Sequence, residues 1–174
     1  MAGPSEIDVW QGEIADLEVD AIVVPASESL FMTTGPAASV KRHGGERIER
    51  AAVDQAPVEP GTVVVPEAGS LPAAYVIHAV GVGHDRVADR SRLASAIRGA
   101  LAQAAPLELR RMAFSLVGVE HGSFVAADAA EVLLDELTAS TATGYPESVV
   151  IATTNAHETR AVAEAIALRR ARVP

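Results

Sequence analysis

The stretch 20-DAIVVPASESL-30 carries small and β-branched apolar residues into a Pro-Ala-Ser break. A strand covered on both faces has this texture, because no alternate position needs to meet water. The break marks where the chain leaves a sheet, and in open α/β sheets ligands sit beyond such exits. From Pro25 to Leu30 the exit offers no Asn, Asp, His or Cys. Three readings therefore stay open at this point: a reactive site without its reagents, a site that only binds, or a loop that does neither.

Working outward, the same texture returns in 7-IDVWQGE-13, 62-TVVVPEA-68, 74-AYVIHAVGV-82, 111-RMAFSLVG-118 and 148-SVVIATTN-155. Helical patterns lie between these strands. In 90–105 the residues Leu93, Ile97 and Leu101 form one stripe, and Pro106 stops the helix. In 128–137 Asp128 is placed to cap the N-terminus, with Val132, Leu133 and Leu137 facing inward. The last helix is expected to start at Asn155 with Glu158 three residues on. It buries Ala161, Val162, Ala165 and Ile166, and it sets Arg169, Arg170 and Arg172 at its negative end. Alternating strands and helices imply an α/β domain with helices on both faces of a parallel or mixed sheet, and residues 1–174 read as one domain.

Composition narrows the function. Of 174 residues, 49% are hydrophobic, enough for a sizeable core, yet only 3% are aromatic, so Val, Ile, Leu and Ala must build it. The absence of cysteine removes disulfides, thiolate metal sites and a cysteine nucleophile together. A net charge of −9 argues against a general nucleic-acid binder, which needs a cationic face. It leaves room for one small anion held by backbone amides. The start of the chain has neither a basic segment nor an apolar h-region, so a soluble cytoplasmic protein with no membrane partner is expected.

Three strand exits are candidates for a ligand site: residues 26–45, 118–128 and 153–158. Gly118 and Gly122 permit turns whose N–H groups converge on an anion, and they equally permit an ordinary surface turn. No GxGxxG follows the first strand and no GxxxxGK[ST] occurs, so dinucleotide-fold and P-loop signatures are missing. His43, His84 and His157 stand at no metal-ligand spacing, so neither a metal nor a cofactor is expected.

The segments 11-QGEIADLEVDAIVVPAS-27, 35-GPAASVKRHGG-45, 61-GTVVVPEAGSLPAAYVIHAV-80 and 113-AFSLVGVEHGSF-124 occur in an order that resembles a macro domain, the ADP-ribose-binding α/β module. The resemblance implies a three-layer α/β/α sandwich around a central mixed six-stranded sheet. It also implies a set of ligand-binding residues. Glu13 stands where the family's acidic residue accepts a hydrogen bond from the adenine amino group, and the Ile14 backbone N–H would meet the ring. Val24 and Ser27 stand at the family's two asparagines, the second of which orients the distal ribose and, in hydrolytic members, the attacking water. Ala37 takes the place of those members' aspartate, which leaves no general base there.

The family's glycine-rich first loop keeps only Gly35, and Pro36 removes one N–H donor. After Gly118, the phosphate-gripping second loop falls on Val119, Glu120, His121, Gly122 and Ser123. Glu120 stands at a family glycine, where its charge would oppose ligand phosphates. Phe124 matches a position packed beside the sugar or base, and Asn155 follows the last strand near the adenine site. His78 is expected to be a hydrogen-bonded structural histidine, as its family counterpart would be. The function implied is binding of ADP-ribose or a related nucleotide without hydrolysis. Its alternatives are a degenerate fold used for assembly, and a divergent ADP-ribosyl hydrolase working through Glu13, Glu120 or His121.

Overall fold

The computed structural model describes residues 4–120, 124–140 and 144–172. Six strands form one sheet: β1 (Glu6–Gln11), β2 (Ala21–Ser27), β3 (Val63–Val64), β4 (Tyr75–Val82), β5 (Arg111–Ser115) and β6 (Ser148–Thr153). Their spatial order is β1-β6-β5-β2-β4-β3. All neighbours run parallel except β3, which is antiparallel to β4. The sheet is therefore mixed, as expected.

Central strand β2 shows why the apolar run was unbroken. Ala21 and Val23 point into one core and Ile22 and Val24 into the other, and none of the four is exposed. The first core is closed by α3 (Arg90–Ala102), α4 (Ala126–Ala139) and α5 (Ala156–Arg172). Leu93, Ile97 and Leu101 of α3 and Val132, Leu133 and Leu137 of α4 present the stripes read from the sequence. The second core is closed by α1 (Gly35–Gly44), α2 (Glu46–Val53) and a 3-10 turn at Ile14–Asp16, through Ile14, Val40 and Ile48. Burying one such side chain is worth roughly 1.5–3 kcal/mol. Two helical layers around one sheet make the three-layer sandwich.

Asp20, just before β2, fastens the strand starts together. Its Oδ2 accepts from the N–H groups of Arg110 and Arg111, both at 2.8 Å. Its carbonyl accepts from Ala74 and Tyr75 at 3.0 and 3.2 Å. One residue thus aligns β2, β4 and β5, whose opposite ends then open on the same side.

Four local expectations change. The strand expected over 62–68 pairs regularly only at Val63 and Val64, with a lone bridge between Glu67 and Tyr75. Pro66 has no N–H to give and contributes only its carbonyl, to Val76. Helix α4 begins three residues earlier than expected, with Val125 at the cap, because Ala126 is already buried in the core. Asp128 lies in the first turn instead, where its charge still suits the positive end. In α5, Ala161 is only partly buried, although Val162, Ala165 and Ile166 are buried.

His78 is fully buried in β4, but neither ring nitrogen has a hydrogen-bond partner. The strand supplies only apolar neighbours here, so burial pushes its pKa down to about 4 and the ring stays neutral.

The start of α5 is as expected. Asn155 Oδ1 accepts from the Glu158 N–H at 3.0 Å, and Glu158 Oε2 reaches back to the Thr154 N–H at 2.8 Å. At the other end Arg169 pairs with Glu131 and Asp135 of α4, at 2.9 and 2.6 Å, so it clamps two helices together. Among the described residues no helix is long and apolar enough to cross a membrane.

Candidate functional site

Strands β1, β2, β5 and β6 run parallel through the sheet, so their carboxyl ends, at Gln11, Ser27, Ser115 and Thr153, open on one edge. Three adjoining cavities lie along that edge. The first, about 290 Å³, is lined by Glu13, Ile14, Gly35, Ser39, Arg42 and Thr154 among others. The second, about 210 Å³, shares Gly35, Pro36, Ala152 and Thr154 with it and adds Val119, Glu120 and Glu158. The third, about 330 Å³, shares Glu120 with the second and is lined by Ser27, Glu28, Thr34, Ala37, His84, Arg86 and Gly118. Together they form one cleft.

Backbone geometry shapes the two loops that flank it. Gly35 opens α1 at φ 57°, in the left-handed region that favours glycine. A Cβ built there would lie 3.4 Å from Glu120 Cγ, so the first loop approaches the second across the cleft. Gly118 has φ 103°, and a Cβ on it would come within 2.9 Å of Leu93. The second loop can turn this close to α3 only without a side chain.

The first loop is pinned from below. Glu49 of α2 accepts from the Met32 backbone N–H at 2.6 Å and from Lys41 Nζ at 2.7 Å. Burial works against its charge, but the Lys41 and Met32 hydrogen bonds and the Lys41 charge win, and the carboxyl lies below its ordinary value. At the far end of the cleft Glu28 bonds His84 Nδ1 at 2.7 Å, and Ser27 Oγ meets Ser29 Oγ at 3.0 Å. An irregularity in the β2–β4 pairing between Ala26 and Ser27 brings Ser27 opposite Val82 and so delivers His84 to this wall.

Glu120 is the electrostatic anomaly of the cleft. Burial pushes its pKa up to about 7, against the pull of the nearby backbone N–H groups of Glu120 and Gly118, and the Glu158 charge adds repulsion. Its Oε1 is buried with no hydrogen-bond partner among the described residues.

Of the expected residues, Glu13, Ile14 and Gly35 meet in the first cavity, Gly35, Val119 and Glu120 in the second, and Ser27, Gly118 and Glu120 in the third. Phe124 packs against the first core and closes its loop through an N–H to the Gly118 carbonyl at 3.2 Å. Asn155 is engaged in capping α5. His121, Gly122 and Ser123 lie outside the described residues. Ser39, Arg42, Glu28, His84 and Arg86 line the cleft without having been singled out. Of these only Ser39 left a trace in the sequence, as a polar residue on the buried face of α1 beside Val40.

Comparison with known proteins agrees with this architecture. The family profile of the macro domain matches residues 23–133. A macro domain-containing protein of Cupriavidus necator is 36% identical over 135 residues, covering 74% of this chain and 78% of that protein. An uncharacterized protein of Mycobacterium tuberculosis is 33% identical over 129 residues, covering 74% of this chain. The chain spans only 36% of that mycobacterial relative's length. Among solved structures, the Trypanosoma brucei macrodomain in complex with ADP-ribose superposes with a TM-score of 0.84 at 22% identity, over 92% of this chain and 69% of that one. A variant of the Oceanobacillus iheyensis macrodomain with ADPR gives 0.83 at 19% identity, over 95% and 93%. The profile, the identities and the shared sheet lead to one conclusion: the chain belongs to the macro domain family.

Proposed function

We propose that this cleft binds ADP-ribose or a related nucleotide and does not hydrolyse it. The observation that carries the reading is continuity: three cavities adjoin along the parallel strand ends, linked by Gly35 and Glu120. A sugar-bridged nucleotide needs such a run of subsites: an apolar and acceptor-bearing end for the base, backbone N–H groups in the middle, and hydroxyls for the distal sugar. Glu13 and Ile14 furnish the first, the backbone at Val119 and Glu120 the second, and Ser27 and Thr34 the third. A relative of the same fold is found with ADP-ribose, which supports the assignment.

The side chains at the sugar end support the absence of hydrolysis. Ala37 lines that cavity where a general base would be needed. Ser27 shares a hydrogen bond with Ser29, and among the described residues no histidine or lysine is bonded to its hydroxyl to activate it.

Calorimetry with ADP-ribose, combined with a release assay on an ADP-ribosylated protein, tests both halves. Binding heat without release is expected. No heat at millimolar ligand overturns the binding half, and release of ADP-ribose overturns the other.

A further inference from the structure

The middle of the cleft is already occupied by a carboxyl. Glu120 stands on the second loop, touches both the middle and the far cavity, and extends its stem toward Gly35 of the first loop. Its side chain lines the far cavity together with the Gly118 turn. Backbone N–H groups of such a turn are donors of the kind a bound phosphate would seek. One carboxyl oxygen, Oε1, is buried with no hydrogen-bond partner among the described residues.

We propose that Glu120 is the specificity determinant of the cleft: its carboxyl takes the anion position between the two loops, so a ligand with a charged diphosphate bridge binds only together with a proton. This rests on the nucleotide reading of the cleft and deepens it. Ionised Glu120 opposes a diphosphate directly. Protonated, it ceases to repel, and its hydroxyl gives the phosphate a donor. A ligand without phosphate, such as adenosine, meets neither effect.

The surroundings make this proton available near neutrality. Burial and the nearby Glu158 of α5 hold the Glu120 carboxyl at about 7. The first loop and α1 meet it through Gly35 and Pro36, which carry no charge. Glu28, His84 and Arg86 line the cavity on its other side, and there Glu28 and His84 are paired with each other.

If only the protonated form accepts the ligand, the competent fraction falls about tenfold between pH 6 and pH 8, and the affinity falls with it. The test is calorimetry of the whole chain with ADP-ribose and with adenosine at pH 6, 7 and 8, on the parent, Glu120→Gln and Glu120→Gly, each checked for folding by its thermal transition. The parent is expected to bind ADP-ribose about tenfold more weakly at pH 8 than at pH 6. Both variants should be flat across this range and at least tenfold tighter than the parent at pH 8, with adenosine unchanged throughout. A parent that binds ADP-ribose with no pH dependence overturns the proposal alone. So does a slope that survives in both variants, since Glu120 would then not be its source. If neither ligand binds any of the three proteins, the nucleotide reading fails and this proposal fails with it.

Discussion

Ser39 Oγ, on the buried face of α1, donates a hydrogen bond to Glu13 Oε2 at the edge of the first cavity. This contact turns a carboxylate that follows an exposed strand end toward the cleft. Holding one rotamer of an acceptor in advance saves ordering cost when a ligand arrives. Glu13 itself is exposed, so solvent screens the bond and it adds little to the stability of the fold.

Ser39→Ala should therefore weaken ADP-ribose binding several-fold while changing the melting temperature little. Calorimetry alongside a thermal melt checks it. An unchanged affinity in a folded variant shows that the orientation of Glu13 is immaterial to the ligand.

His78 predicts an acid sensitivity built into the sheet. Its pKa is depressed to about 4 in the folded chain, so the unfolded chain binds a proton at higher pH than the folded one does. The stability it permits is fully present above its ordinary value and is lost as pH falls from there toward 4. The loss approaches about 3 kcal/mol. His78→Leu removes both the unpartnered nitrogens and the titration. Urea unfolding at pH 7, 5 and 4 should show the variant's advantage over the parent growing steadily on acidification. A constant difference would mean that the buried ring escapes to solvent before it is protonated.

Glu49 predicts a local effect at the first loop. Its carboxyl is held below its ordinary value, so its contribution is present above that value and disappears as pH falls through the depressed one. Glu49→Ala leaves the buried Met32 N–H unsatisfied and Lys41 unpaired, at a cost of about 1–3 kcal/mol. Hydrogen exchange should register the loss chiefly at the Met32 amide and in residues 28–34, with β2 itself still protected. Uniform acceleration along the whole chain would show that the clamp serves global stability instead of the loop.

Much of the fold was legible because burial on both faces leaves a plain mark. The runs at 20–26, 74–82, 111–118 and 148–155 all became interior strands within a few residues. Legibility failed where local and long-range preferences disagree. Asp128 is a good cap by type, yet the core claims Ala126 and starts the helix earlier. The stretch 62–68 looked like one continuous strand, although only its three valines form an apolar run and Pro66 ends regular pairing. In the cleft, Glu13, Ile14, Gly35 and Glu120 were accessible through the family pattern. His84 and Glu28 were not, because only the shifted register between Ser27 and Val82 places residues 56 positions apart side by side. His78 misled for the opposite reason: a polar residue in an apolar run suggests a partner, and the sheet provides none.

The pairing of β1 with β6 has a consequence for how the chain matures on the ribosome. Ser5 bonds to Glu147, 142 residues further on, and among the described residues β1 has no neighbour in the sheet but β6. At a synthesis rate of about 5–20 residues per second, β1 waits roughly 7–30 s for its partner to emerge. During that interval β2, β4 and β5 can assemble around Asp20, while Ile7 and Val9 remain without the strand and helix that later cover them. A nascent chain halted before β6 would thus display β1 unpaired, with Ile7 and Val9 bare to water.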